Sequence, residues 1–398
     1  MAANSNQAVA AVKPFKRSVL WNRMIWVGLF IGVITFLMGL QTNSDRIWQA
    51  FLLNSFFFIS LAVGGLFFVS IQYVTKAGWS VVVRRIAESL TSYLVVGSVA
   101  ILAVTFYGAK SLFPWMDSGF VAANELVYKK AAYLNSGFFS IRTLIFAAIW
   151  FLFARLIVGS SVKQDQTGDV NLTHRNLKFS IGFLILFALT YSLFSVDYLM
   201  SLDPLWYSTI FGVYTFSGLF QSTLSFIILI TLSLRKRGLL DGYVTDEHMH
   251  DLAKFLFAFT VFYAYIAFSQ FMLIWYANIP EETAFFLHRS HGGWMGVSLS
   301  LPILKFAVPF FALLPRAAKR DMSHLVRVCV LMVIMQMVDL YWLIYPNFHE
   351  SPVLPLWEIG LFAGFLGLFL LMVGRFLESH AIVPIGDPRL HESLHHHT

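Results

Sequence analysis

The chain carries little charge. Of its 398 residues only 12% are Asp, Glu, Lys or Arg, against about 25% in soluble globular domains. Too few hydrated groups are present to cover a water-facing surface, which excludes an ordinary soluble enzyme. It has one cysteine, Cys329. A single thiol makes no intrachain disulfide, holds no iron–sulfur cluster by itself and forms no CxxCH haem attachment; Cys329 reads as a small buried apolar residue. Histidine is missing from the interiors of the apolar runs. His288 and His291 stand at one edge, His324 at another, and the rest fall in loops and tails, which leaves no axial ligands for an intramembrane b-type haem. There is no P-loop, nucleotide fingerprint, HExxH or nucleophile elbow, so no self-contained catalytic site is expected.

What is abundant is oil: 58% of the residues are hydrophobic and 17% aromatic. A bilayer crossing needs about 20 consecutive apolar residues. By that measure the sequence predicts an all-α polytopic membrane protein of ten spans, centred near Ile31, Ile59, Val96, Trp150, Leu186, Phe220, Ala264, Leu301, Val333 and Leu366. The first span is too long for a signal-peptide core and lacks a small-residue cleavage site, so no secretory signal is expected. The net charge of +7 is parcelled out between spans, with 21 of the 28 basic residues on one side, which is no nucleic-acid signature. Positive charge stays in the cytoplasm, which predicts both termini inside. Residues 1–18 and 377–398 read as cytoplasmic tails around a membrane domain of 19–376. The last segment, "HESLHHHT", reads as mobile; its four histidines could take up a metal only adventitiously. The polar segments "SSVKQDQTGDVNLTHRNLK" and "RKRGLLDGYVTDEHMHD" read as inner loops, and "ANELVYKKAAYL" as an interfacial helix in the outer loop.

Weak internal repetition suggests the architecture. "SVDYLMSLDPLW" ends span five and "MVDLYWLIYP" ends span nine; each has Val-Asp with a proline seven residues after the aspartate, Asp197 to Pro204 and Asp339 to Pro346. "RIAESL" of span three resembles "DLAKFL" of span seven, and "FAAIWFLFARL" of span four resembles "FAVPFFALLP" of span eight. Each match joins a span to the one four later, an offset that preserves orientation. This predicts a parallel duplication: two tandem four-helix bundles, helices 2–5 (about 47–200) and 6–9 (about 206–345), with spans one and ten peripheral.

Ionisable groups inside spans cost several kcal/mol unless paired or hydrated. Lys305 falls near the middle of span eight, and Asp339 about 8 Å from the outer end of span nine at 1.5 Å per residue. The two read either as a structural ion pair or as a proton relay. Gln336 shares a helix face with Asp339, and Ser298 shares one with Lys305. Pro302 and Pro309 would free carbonyls along the lysine's stripe. Asp197, near the outer end of span five, reads as a capping or water-contacting carboxylate or a relay, with Arg142 as its counter-ion. Glu88 and Glu358 open spans three and ten.

Span seven, "YIAFSQFMLIWYANIPEETAFF", is the most distinctive stretch. Tyr263 and Gln270 share one face, Tyr265 and Ser269 another. They read as hydrogen-bonding glue between helices, or as the lining of a water path or quinone-head pocket. Ile279-Pro280 ends the helix, which places Glu281 and Glu282 in the outer loop with His288, Arg289 and His291 as an edge for proton exchange or partner contact. "HRSHGGWMG" is a weak metal pattern, and no metal site is assigned; Gly292 and Gly293 would permit close helix approach.

"YIAFSQFMLIWYANIPEET", "HRSHGGWMG" and the ten-span plan resemble the ActF-type membrane subunits of bacterial alternative complex III, which are similar to the NrfD/PsrC type. The resemblance covers nearly the whole chain. It implies two four-helix bundles and a place in a quinol:electron-acceptor oxidoreductase of the bacterial cytoplasmic membrane. It also implies that this chain holds no cofactor, while haem c, iron–sulfur clusters and quinol belong to the complex. The implied partners are an ActC-like sister subunit nearer the quinol site, iron–sulfur and cytochrome c subunits, a terminal oxidase, and membrane lipids. The implied role is to scaffold the membrane sector and to conduct protons; no catalytic residue set comes with it. The alternatives are a subunit that itself binds quinol, and a stand-alone secondary transporter, a class that commonly shows inverted rather than parallel repeats.

Overall fold

The structure is a computed structural model and describes residues 12–397. Among the described residues ten helices are long and apolar enough to cross a membrane: α1 (Val19–Thr42), α2 (Ser44–Val74), α3 (Val81–Leu112), α4 (Ser136–Thr167), α5 (Asn171–Leu202), α6 (Phe211–Lys236), α7 (Asp246–Ala277), α8 (Trp294–Leu313), α9 (Met322–Asn347) and α10 (Leu356–Ser379). The chain is a multi-pass membrane protein with no strand among the described residues. Caps set many boundaries. The side chains of Ser18, Asn43, Asn135 and Asp321 each accept from a first-turn backbone N–H, and Thr245 forms a capping box with His248. Gly168, at φ 63, closes α4, and Asn278, at φ 50, closes α7.

The spans pack as two rings of four. In α2–α5 and again in α6–α9, each helix packs on the next and the fourth closes on the first. The rings meet where α2 contacts α6 and α9 and where α5 contacts α6, so α2 and α6 are almost wholly buried. At the α2–α6 crossing a Cβ on Gly64 would lie 2.1 Å from Thr223 Oγ1. The α1/α10 pair packs against α2 and α3. Its seam is made of glycine: a Cβ on Gly32 would meet Gly364 Cα at 2.4 Å, and one on Gly28 the Ala363 carbonyl at 2.4 Å. Without a hydrophobic force between helices in lipid, such backbone approach is what holds a pair together. The other faces of α1, with Trp26 and Phe30, are exposed, as suits contact with acyl chains. The start of α1 and the end of α10 lie together, joined by an Arg17–Glu378 ion pair of 2.9 Å; that side is the terminal face and the other the far face.

Four sequence expectations are corrected. The polar stretch 160–178 is no loop, because α4 runs to Thr167 and α5 starts at Asn171. "ANELVYKKAAYL" is not one helix: Asn124 separates Ser118–Ala123 from the five-residue helix Glu125–Lys129. Glu281 and Glu282 begin a short helix, Pro280–His288, rather than lying in a loop, since proline at the first helical position sacrifices no hydrogen bond. The C-terminal segment is docked: Ile382 and Val383 are fully buried, and Asp387 pairs with Arg84.

Candidate functional site

The deepest charge sits in the second bundle. Lys305 of α8 and Asp339 of α9 form an ion pair of 2.6 Å with both side chains buried. Asp339 lies five residues before the α-helical end at Ile344, about 8 Å at 1.5 Å per residue. Its two oxygens are both satisfied. Oδ2 accepts from Lys305; Oδ1 accepts from the Tyr214 hydroxyl at 2.5 Å and from the Tyr263 hydroxyl at 3.4 Å. Lys305 Nζ also donates to Gln336 Oε1 at 2.6 Å and stands 3.8 Å from the centre of the Tyr263 ring. Four helices thus supply one network, in which the charges cancel and each ion has partners beyond the other. That is the condition under which a buried pair is tolerable.

Local backbone geometry brings the lysine there. Residues Leu301–Ala307 form a π-helical stretch, with the Val308 N–H reaching back to the Ile303 carbonyl. Pro302 lies within it and cannot donate to an α-helical ladder, and wide turns of this kind are frequent at functional positions. The stretch also breaks the seven-residue alignment expected between Ser298 and Lys305. Ser298 instead donates to the Arg289 carbonyl and accepts from Trp342 Nε1, both at 2.7 Å.

Beside the network is a cavity of about 10 Å³ lined by Asp339, Gln336, Ser60, Tyr191, Thr215 and Ser222 among others. That is room for one water, at the place where the two bundles touch. Close by on α6, Gln221 is also buried, and its Nε2 donates to Thr260 Oγ1 of α7 at 3.3 Å. On the far-face side lies Arg289, which among the described residues has no carboxylate within ion-pair range. Its guanidinium donates to the Trp342, Phe285 and Leu343 carbonyls at 3.0, 3.0 and 3.1 Å and stacks 3.5 Å from the Phe285 ring. Burial pushes its pKa below the usual guanidinium range, with Asp203 opposing.

The first bundle holds a counterpart. Arg142 of α4 grips Asp197 of α5 with two parallel bonds, Nε to Oδ2 and a terminal nitrogen to Oδ1, both 2.9 Å. The Tyr133 ring lies 3.8 Å from the guanidinium carbon, and the Tyr133 carbonyl takes a third donor at 2.9 Å. Asp197 is fully buried, so it does not contact solvent, and both its oxygens are taken by the counter-ion Arg142 rather than by a helix end.

Of the residues singled out from sequence, Lys305, Asp339, Gln336 and Tyr263 converge. Gln270 is buried with its amide oxygen unpartnered and does not join them. Tyr265 is 65% exposed, which turns that face outward. Glu281, His288 and His291 are exposed on the far face; Glu282 is partly so, and its carbonyl accepts from Trp206 Nε1 at 3.2 Å. Among the described residues no group of three His, Cys, Asp or Glu is arranged to hold a metal. Sequence reasoning missed Tyr214, whose signal was the polar stripe Tyr214, Ser217, Gln221 and Ser225 on α6. It also missed the charge cluster at the terminal face: Glu88 lies 3.5 Å from Arg84 and 3.1 Å from Arg85, and Arg85 reaches Asp165 at 2.5 Å. A scan against protein-family models finds no match, and neither does a search of curated proteins.

Proposed function

We propose that this chain is a cofactor-free membrane subunit of a quinol:electron-acceptor oxidoreductase of the alternative-complex-III type in a bacterial cytoplasmic membrane. It scaffolds the membrane sector and passes protons through the Lys305–Asp339 network. The sequence likeness supplies the complex; haem c, iron–sulfur clusters and quinol oxidation belong to partner subunits. The proton role rests on one observation: a buried carboxylate held by an ammonium and two phenols, with a water-sized cavity against it. A proton path needs titratable groups spaced by hydrogen-bonding ones, and an ordinary packing seam needs none of them. The like-oriented rings of α2–α5 and α6–α9 favour this reading over a transporter built on inverted repeats.

The test must separate conduction from stability. Asp339→Asn alone strands Lys305, and breaking a buried pair costs about 3–5 kcal/mol, so poor assembly is expected. The double variant K305Q/D339N keeps shape and hydrogen bonding without charge. In proteoliposomes holding the whole complex it should oxidise quinol at close to the wild-type rate while moving fewer protons per electron. An unchanged ratio would reduce the pair to a structural dock, and purification of the chain without haem-bearing partners would refute the assignment to the complex.

A further inference from the structure

A cleft opens beside the first bundle. Helix α3 packs on both α4 and α10, and between those two lies a space of about 450 Å³. Thr91, Ser92 and Val95 line it from α3, and Phe376 and His380 from the end of α10. The face of α4 that carries Phe151, Arg155 and Gly159 lines the remaining side. Arg155 has no hydrogen bond or ion pair among the described residues, and no acid lines the cleft. Two acids on the flanking segments are engaged elsewhere, Asp165 by Arg85 at 2.5 Å and Glu378 by Arg17 at 2.9 Å.

The level of Arg155 in the bilayer follows from helix length. From Ser136 to Arg155, α4 rises about 28 Å at 1.5 Å per residue, close to the roughly 30 Å of a hydrocarbon core. The end of α10 lines the same cleft. The guanidinium therefore sits at headgroup level on the terminal face. Toward the membrane centre the cleft is continued by exposed apolar side chains. Val95 and Val99 lie one turn apart on α3, and Phe151 lies one turn from Arg155 on α4.

The other polar groups narrow the chemistry. Thr91 and Ser92 donate their hydroxyls to the Glu88 and Ser89 carbonyls at 2.7 and 2.6 Å, so their oxygens are left only to accept. His380 Nδ1 lies 2.9 Å from the Phe376 carbonyl. A carbonyl only accepts, so Nδ1 carries a proton, and Nε2 of the neutral ring is an acceptor. One unpaired cation thus stands among acceptors. A head with a single negative charge and O–H donors matches that set. A choline head has no donor, and an ethanolamine head brings an ammonium for which the cleft holds no carboxylate.

We propose that this cleft holds one anionic glycerophospholipid of the phosphatidylglycerol type. Its phosphate rests on Arg155, its glycerol hydroxyls donate to His380 Nε2 and to Thr91 or Ser92, and its acyl chains run over Val95, Val99 and Phe151. Basic pockets between spans are a recognised form of lipid site. The cleft shares no residue with the Lys305–Asp339 network, so the two proposals can fail separately.

The test is native mass spectrometry of the protein purified with its partners in mild detergent, delipidated and then offered single lipids. One phosphatidylglycerol should be retained where phosphatidylcholine is not. Arg155→Gln, which breaks no contact within the chain, should weaken retention about tenfold, the scale of one hydrogen bond to a charged group. His380→Phe should reduce the preference for phosphatidylglycerol over phosphatidylmethanol, which keeps the charge and lacks the hydroxyls. Gly159→Leu should block the cleft without a clash, since a Cβ there meets nothing within 4 Å. Equal retention of phosphatidylcholine, or unchanged retention in Arg155→Gln, would overturn the proposal. So would displacement by chain-free glycerophosphoglycerol at the lipid's own concentration, which would make this a site for soluble anions. Loss of a partner subunit from Arg155→Gln with lipid retention intact would assign the cleft to a protein contact instead.

Discussion

Asp197 and Asp339 answer the same problem with different cations. Arg142 offers a planar fork that matches both carboxylate oxygens at 2.9 Å, whereas Lys305 is a point charge that needs Tyr214 to fill the second oxygen. Arginine and lysine are not interchangeable at such a site. Arg142→Lys keeps the charge but gives up one of the parallel bonds and the stacking on Tyr133. It should lower stability by about 1.5–3 kcal/mol, the range for a hydrogen bond to a charged group. Arg142→Leu strands a buried aspartate and should lower it by about 3–5 kcal/mol. Tryptophan-fluorescence melts of the detergent-purified protein would show the order; an Arg142→Lys curve overlying the wild type would mean that the fork holds nothing. The charged members of both sites were legible in the sequence, because a charge in an oily run is conspicuous. Tyr214 was not: where 17% of residues are aromatic, a tyrosine announces nothing until its hydroxyl is seen on a carboxylate.

Elements were legible wherever hydropathy defined them, and less so where polar residues continue a helix or dock a tail. The α4–α5 hairpin reads as loop from 160 onward because its terminal-face ends are hydrophilic, yet Gln164 donates to the Asp169 carbonyl at 3.0 Å and to Thr173 Oγ1 at 2.7 Å, stitching the helices together. The C-terminal segment was unreadable for a different reason: its partners are remote in the chain. Asp387 reaches Arg84, the Gly386 N–H donates to Asp165 at 3.1 Å, and His396 meets Asp251 at 2.6 Å. It thereby covers the terminal-face ends of both bundles and supplies Arg84 with an anionic partner beyond Glu88. Asp387→Ala should release it. Trypsin cleavage after Arg389, slow while Leu390 is buried, should accelerate several-fold, as expected when a local opening equilibrium shifts by about 1–2 kcal/mol. Equal cleavage rates in the two proteins would mean that Asp387 does not anchor the segment.

At the scale of the whole molecule, each ring places a cation on its third helix and an aspartate on its fourth: Arg142 with Asp197, and Lys305 with Asp339. That is the residue a parallel duplication would leave. The aspartates showed in the sequence as a repeat through a shared spacing to proline; the cations, though conspicuous one by one, did not show as a repeat, because Arg142 lies near the start of α4 while Lys305 lies midway down α8. The two halves then diverge: the first is closed at the terminal face by the Arg84–Arg85–Glu88 charge cluster, and the second carries the Lys305 network. Orientation in the bilayer follows from charge rather than from packing. The loops and ends of the terminal face carry most of the lysine and arginine, so that face should be cytoplasmic. The single buried cysteine makes this testable. Cys329 is fully buried, so Cys329→Ala gives a thiol-free background at the cost of a small core truncation. In that background, Gln166→Cys, exposed at the terminal-face end of α4, should react with a membrane-impermeant maleimide only after the cells are permeabilised. Lys129→Cys, exposed beyond the far-face end of α3, should react in intact cells. The reverse pattern would invert the molecule, and would place the charge cluster around Glu88 on the side where positive charge is normally scarce.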